Sequence, residues 1–231
     1  MAAVNNQLVL VGGKNISTNK RTNTVCVWKE GSQTWIHPFP VMPTSRCVSS
    51  SISHQGWLIV VGGTDQTGSY LNKVEIMDTN SKQWYESSPL PNQYSEMSST
   101  INGNMWYLSG GFCAQGPNRC VLSVCLDDLI AQAFPQSTRA ASKSTQSPWK
   151  ALPDLPLNYS TVLIYNGALF SVGGSNTSAI YLYQPSKKNW IRVSNLPTKR
   201  WQCACTILPS GEIFVTGGEG VNKCMNSATI L

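Results

Sequence analysis

The stretch GWLIVVGGTD, residues 56–65, runs from a glycine turn through apolar, β-branched residues into a glycine pair. Such a run is either a strand feeding a phosphate-cradling turn or a purely architectural element. Recurrence decides between them. The same pattern appears as LVLVGG, LIVVGG, WYLSGG, LFSVGG and IFVTGG, ending at Gly13, Gly63, Gly111, Gly174 and Gly218, with steps of 50, 48, 63 and 44 residues. A phosphate loop occurs once or twice in a domain, whereas five copies at a near-constant period mark a repeated structural unit.

The rest of the unit repeats as well. Trp35, Trp84, Trp149 and Trp190 each follow a glycine pair, and Pro43, Pro91, Pro156 and Pro197 follow those tryptophans by seven or eight residues. A bulky residue, Trp28, Met77 or Tyr183, stands seven positions ahead of three of the tryptophans. The segments between, KEGSQT, DTNSKQ and QPSKKN, are rich in turn-forming residues. Each unit therefore reads as four short antiparallel strands, which cannot bury both faces alone and must stack on neighbouring units.

These landmarks resemble those of kelch-repeat proteins: an apolar strand ending in Gly-Gly, an aromatic on the third strand, a spaced Trp, and a Pro-x-x-Arg linker. The resemblance implies an all-β fold, a β-propeller of four-stranded antiparallel blades. It makes Gly12, Gly13, Gly62, Gly63, Gly110, Gly111, Gly173, Gly174, Gly217, Gly218, Trp35, Trp84, Trp149 and Trp190 structural, with each tryptophan filling a wedge between blades. Against the usual six or seven blades of related rings, the chain reads as one kelch domain of about five units, an incomplete ring. The expected boundaries are 1–40 as a partial blade, 41–90, 91–155, 156–196, and 197–231 as a second partial blade. The first is expected to lack its opening strand and the last its closing one. Unpaired edges left this way invite self-association. In the third unit Gly111 and Trp149 are 38 positions apart, against 21 or 22 in the first two. The excess, residues 131–147, is rich in Ser, Thr, Ala and Gln and reads as an inserted loop between the third and fourth strands.

Composition narrows function. The net charge is +6, but the longest basic runs are Lys20-Arg21, Lys187-Lys188 and Lys199-Arg200, too dispersed for a nucleic-acid surface. No apolar run approaches the ~20 residues of a membrane span, and no signal-peptide pattern opens the chain, so a cytoplasmic location is expected. The eight cysteines form no C-x-x-C pair, and His37 and His54 occupy different repeat phases. No metal, cofactor or catalytic residue is therefore expected. Cys203 and Cys205 share one face of a β-like run and read as reduced thiols packed as small hydrophobes.

Kelch adaptors bind partners through loops at the channel mouth, from the residues after Gly-Gly and from the Arg position of the linker. On this chain the first set is Lys14, Thr64, Phe112, Ser175 and Glu219. The second is Arg46, Tyr94, Tyr159 and Arg200, with Trp201 beside it. Alternating Arg and Tyr suits a protein or peptide with acidic and apolar groups; the competing reading has Arg46 and Arg200 holding loops through backbone carbonyls. The implied function is a non-enzymatic interaction scaffold, such as the substrate-recognition part of a ubiquitin-ligase adaptor. The alternatives are a segment of a multidomain signalling protein, or a kelch-fold enzyme of the oxidase or sialic-acid-epimerase kind.

Overall fold

The computed structural model describes residues 2–4, 6–134, 146–220 and 223–231. Nearly all regular structure is antiparallel β, in sheets whose strands follow one another in chain order. The chain divides into two units, residues 1–96 with 126–148, and residues 97–125 with 149–231.

The first unit holds two four-stranded sheets. Strands β1 (Ala2–Val4), β2 (Gln7–Lys14), β3 (Arg21–Lys29) and β4 (Thr34–Ile36) form one. Strands β5 (Ser50–His54), β6 (Trp57–Val61), β7 (Val74–Asp78) and β8 (Gln83–Glu86) form the other. The opening strand that the sequence reading withheld from the first sheet is present: β1 pairs with β2 from Ala2 opposite Val9 to Val4 opposite Gln7. Three residues are too few for alternation to register in a sequence. Yet Ala2 and Val4 are buried with Val9, Val25 and Val27, and this cluster continues through Met42 to Leu58, Val60 and Met77 of the second sheet. The faces of the two sheets thus bury each other, as stacked repeats require.

An α-helix, α1 (Leu126–Ala133), completes this unit. It takes the first three residues of the segment expected to be an inserted loop; residues 135–145 of that segment lie outside the described residues. Asp127 and Asp128 in the first turn suit the positive end of the helix dipole. Leu126 and Leu129 are buried, three residues apart on one helix face. Ser87 Oγ donates to the carbonyl of Leu129 at 2.6 Å, and Ser88 hydrogen-bonds the Gln132 side chain. Just past the helix, Phe134 packs against Trp57 and Tyr85, at ring separations of 5.0 and 4.3 Å.

The second unit begins with β9 (Ser98–Asn102) and β10 (Met105–Ser109). A small ribbon follows, β11 (Phe112–Cys113) with β12 (Gly116–Pro117). Strands β13 (Val121–Cys125) and β14 (Lys150–Leu152) then join β10 and β9 in one sheet. The next sheet is β15 (Thr161–Tyr165), β16 (Ala168–Val172), β17 (Ala179–Gln184) and β18 (Asn189–Asn195). The last has β19 (Ala204–Ile207), β20 (Ile213–Thr216) and, beyond the ribbon of β21 (Glu219–Gly220) and β22 (Lys223–Cys224), β23 (Ala228–Ile230). Two apolar clusters bind these sheets together. One joins Val121 and Leu155 to Val162 and Leu169; the other joins Val172, Ile180 and Leu196 to Cys203 and Val215.

The landmark tryptophans do not share one environment. Trp84 Nε1 donates to the Pro40 carbonyl at 3.3 Å, and Trp190 Nε1 to the Pro153 carbonyl at 3.0 Å, so each pins its sheet to the preceding linker. Trp149 is buried against Trp106. Trp35, expected to fill a wedge, is instead 40% exposed and packs edge-on against Trp28.

Candidate functional site

The glycine pairs meet the linkers between sheets, and this junction positions every residue proposed for recognition. The first glycine of a pair faces the linker that leaves its sheet. A Cβ on Gly62 would lie 2.6 Å from the Tyr94 carbonyl, and one on Gly12 or Gly173 would fall against the carbonyl of Arg46 or Arg200. The second glycine faces the linker that enters. A Cβ there would lie 2.5 Å from the Cys47 carbonyl at Gly63 and 2.5 Å from the Trp201 carbonyl at Gly218. At Gly62-Gly63 and Gly173-Gly174 both positions are thus closed to a side chain. The feature all five doublets share is a positive φ at both glycines, which is why the doublet recurs.

Gly62 and Gly217 make this testable, since both are first glycines with φ near +60°. Around Gly217 nothing lies within 4 Å of an added Cβ. Gly217→Ala is therefore expected to cost about 1–2 kcal/mol, the left-handed backbone penalty alone. Gly62→Ala, which also drives a methyl into backbone, should cost measurably more. Equal losses in chemical denaturation would contradict the packing explanation.

Each first glycine from the second sheet onward presents a carbonyl that receives a side-chain donor. Arg46 Nη1 supplies it at Gly62 (2.9 Å), Asn118 Nδ2 at Gly110 (3.0 Å), Ser160 Oγ at Gly173 (3.0 Å) and Arg200 Nη1 at Gly217 (3.3 Å). A buried carbonyl left without a partner is costly, so the position selects a donor of whatever length reaches it. Arg46 also donates to the Lys73 carbonyl at 3.3 Å and pairs with Glu75 at 2.8 Å. Arg200 reaches the Ser227 carbonyl at 3.2 Å, and the hydroxyls of Thr198 and Ser227 at 3.0 and 3.3 Å. Both arginine side chains are buried, Arg46 at 0% and Arg200 at 1% exposure. Burial pushes the Arg46 guanidinium below its ordinary pKa, and the Glu75 carboxylate opposes that shift. Of the two sequence readings, the geometry is that of loop anchors, with neither guanidinium offered to solvent.

Tyr94 and Thr64 are buried too, whereas Lys14 is exposed. Tyr159 requires a correction of register. The entering linkers contain a left-handed residue, Val48, Glu96, Tyr159 or Gln202. In three of them it follows the buried Met42, Leu90 or Leu196 by six positions, but Tyr159 follows Leu155 by four. The pairings agree with this: Thr64 N bonds the Cys47 carbonyl and Glu219 N the Trp201 carbonyl, while Ser175 N bonds that of Asn158. The linker is two residues short, so Tyr159, which Pro156 aligns with Arg46, stands two places past the structural counterpart of that arginine, in register with Val48 and Gln202.

That shift brings Tyr159 beside two neighbouring loops in the second unit. Phe112 packs against Tyr159 at a ring separation of 5.6 Å. Gln202 N bonds the Tyr159 carbonyl at 3.0 Å, placing the next linker alongside. Trp201 in that linker donates its indole N–H to Glu219 at 3.0 Å. Phe112, Tyr159 and Trp201 are half-buried, and Ser175 and Glu219 are exposed. The result is a ledge of two side-chain pairs, Phe112 with Tyr159 and Trp201 with Glu219, whose loops are set side by side by that backbone hydrogen bond.

The histidines make no shared centre. His54 Nε2 lies 3.4 Å from Asp127, and His37 Nδ1 lies 3.5 Å from Cys26 Sγ. Among the described residues, no three His, Cys, Asp or Glu side chains are grouped to hold a metal ion. Among them, too, no helix is long and apolar enough to cross a membrane.

The chain belongs to the kelch-repeat family: the KLHDC2/KLHL20/DRC7 Kelch-repeats domain matches residues 1–230. It is 21% identical to Kelch-like protein 23 of Homo sapiens over 216 residues, covering 94% of this chain and 36% of that protein. With Kelch-like protein 41b of Danio rerio it shares 23% identity over 227 residues, covering 94% of this chain and 34% of that one. It thus spans about a third of the length of these relatives. The structure of YjhT superposes with a TM-score of 0.77 at 14% identity, covering 98% of this chain and 78% of that one. The fold is accordingly all-β, a kelch-type β-propeller.

Proposed function

We propose that this chain is a non-enzymatic interaction module that binds a protein or peptide, as the recognition part of a larger adaptor. The observation carrying this reading is the ledge of Phe112, Tyr159 and Trp201 with Glu219. Large aromatic side chains on a rigid β scaffold make strong contact anchors at little entropic cost. The glycines, Arg46 and Arg200 are consumed in packing, so they support a scaffold rather than chemistry. With both arginines buried, the ledge keeps the apolar groups of the partner that the Arg and Tyr pattern suggests, and favours hydrogen-bond-donating or basic groups over its acidic ones.

The test is affinity capture with mass spectrometry, comparing the wild type with Phe112→Ala and Trp201→Ala. A control is Ile16→Ala, since Ile16 is 95% exposed elsewhere. Partners kept by the control and lost from both ledge variants are the expected result, each truncation weakening binding by about 2 kcal/mol or more. An unchanged partner set in both ledge variants would refute the assignment.

A further inference from the structure

Cys203 and Cys205 stand apart from the proposed ledge chemistry. Their Sγ atoms are 4.0 Å apart. Cys203 is buried at 5% exposure in the cluster with Val172, Ile180, Leu196 and Val215, and Cys205 is half-buried against the same cluster. Arg200 sits three residues earlier. Its counterpart Arg46 has a carboxylate partner in Glu75, which lies opposite Val60 in the second sheet. The matching place in the last sheet, opposite Val215, is held by Thr229. Among the described residues Arg200 bonds carbonyls and hydroxyls but no carboxylate. A buried cation without an anion favours negative charge nearby, and the neighbouring thiol can supply it.

We propose that Cys203 and Cys205 form a vicinal dithiol that hydrogen peroxide oxidises to an intrachain disulfide. The Cys203 thiolate attacks one peroxide oxygen, breaking the O–O bond; hydroxide leaves and takes up a proton to become water. The Cys205 sulfur then attacks the sulfenic sulfur of Cys203, gives up its proton, and displaces the hydroxyl as a second water. Two thiols and one peroxide thus yield one disulfide and two waters, the sulfurs losing the two electrons that the oxidant gains. The sulfurs must close from 4.0 Å to about 2.05 Å, a movement the residue preceding β19 can share. The roles follow from the surroundings. The hydrogen bond from Cys205, opposed by burial and aided by Thr161 and Arg200, lowers the Cys203 thiol to about 7. Donating that bond pushes the Cys205 thiol up. Since thiolates are the nucleophiles, Cys203 attacks and Cys205 resolves. Burial of Cys203 admits a small neutral oxidant and excludes a bulky disulfide such as oxidised glutathione.

Peptide mapping tests this directly. Residues 201–223 lie between Arg200 and the tryptic site after Lys223, and hold Cys203 and Cys205 but no other cysteine. After peroxide treatment of the folded chain, alkylation and digestion, this peptide is expected two hydrogens lighter and carrying no alkyl group. Treatment with oxidised glutathione should leave it alkylated at both sites. In Cys205→Ser, dimedone should trap a sulfenic acid at Cys203. Full alkylation of both cysteines while other cysteines of the chain oxidise would overturn the proposal. So would dimedone labelling of Cys205 in Cys203→Ser with none of Cys203 in Cys205→Ser.

Discussion

Replacing Arg46 with alanine is expected to destabilise the fold by about 3–5 kcal/mol, because it strands the Glu75 carboxylate in a buried site. Glu75 is 2% exposed and its partners are Arg46 at 2.8 Å and a hydrogen bond from Thr44 at 2.5 Å. The same truncation removes the donor from the Gly62 and Lys73 carbonyls. Glu75→Gln should cost less, since the amide keeps the shape, its oxygen accepting from Arg46 and its NH2 donating to the Thr44 hydroxyl, which can accept as well as donate. Replacing both members together, as Arg46→Met with Glu75→Leu, should recover much of the loss, because an apolar pair leaves no uncompensated charge. Urea denaturation of the four chains gives the comparison. A double variant no more stable than Arg46→Ala would show that the carbonyl bonds, rather than the ion pair, dominate.

Trp106→Ala should produce a loss of similar size, about 3–5 kcal/mol, as expected for emptying a fully buried aromatic site. Trp106 is 0% exposed in β10, its ring 6.3 Å from that of Trp149. Trp35→Ala, at a site 40% exposed, should cost about 1 kcal/mol or less. Thermal unfolding of the two variants checks this, and a larger shift from Trp35→Ala would contradict the burial pattern. The contrast bears on how the chain is read. Trp35 belongs to the periodic set and Trp106 does not, yet the aperiodic tryptophan is the deeper of the two. Periodicity reports that a position is equivalent between repeats, whereas burial depends on which neighbour is there to cover it.

The linkers teach the same lesson at the candidate site. Pro-x-x-Arg spacing aligns Tyr159 with Arg46, Tyr94 and Arg200, and the alignment is reasonable for a sequence containing a proline at each place. Distances to the glycine doublets show instead that this linker is two residues short and that Tyr159 occupies the left-handed position. A signal was available in the spacing from the buried Leu155, four residues against six elsewhere. Reading it required knowing which apolar residue is buried. Likewise, Asn118 and Ser160 replace arginine as donors to the glycine carbonyls, and no motif announces them. A carbonyl asks only for a hydrogen at the right distance, so chemically different side chains reached from different backbone positions can serve.

From the residues alone came the repeat, its antiparallel strands and the architectural role of the glycine doublets. Those depend on local backbone freedom and on an apolar pattern that recurs whether or not the repeats have met. The tertiary structure decided that the linker arginines are buried, that Phe112 packs on Tyr159 with the Trp201 linker alongside, and that Cys203 and Cys205 share a charged neighbour. Such outcomes depend on which segments of distant sequence lie within a few ångströms, and hydrogen bonds, ion pairs and thiol reactivity all fall away over that range.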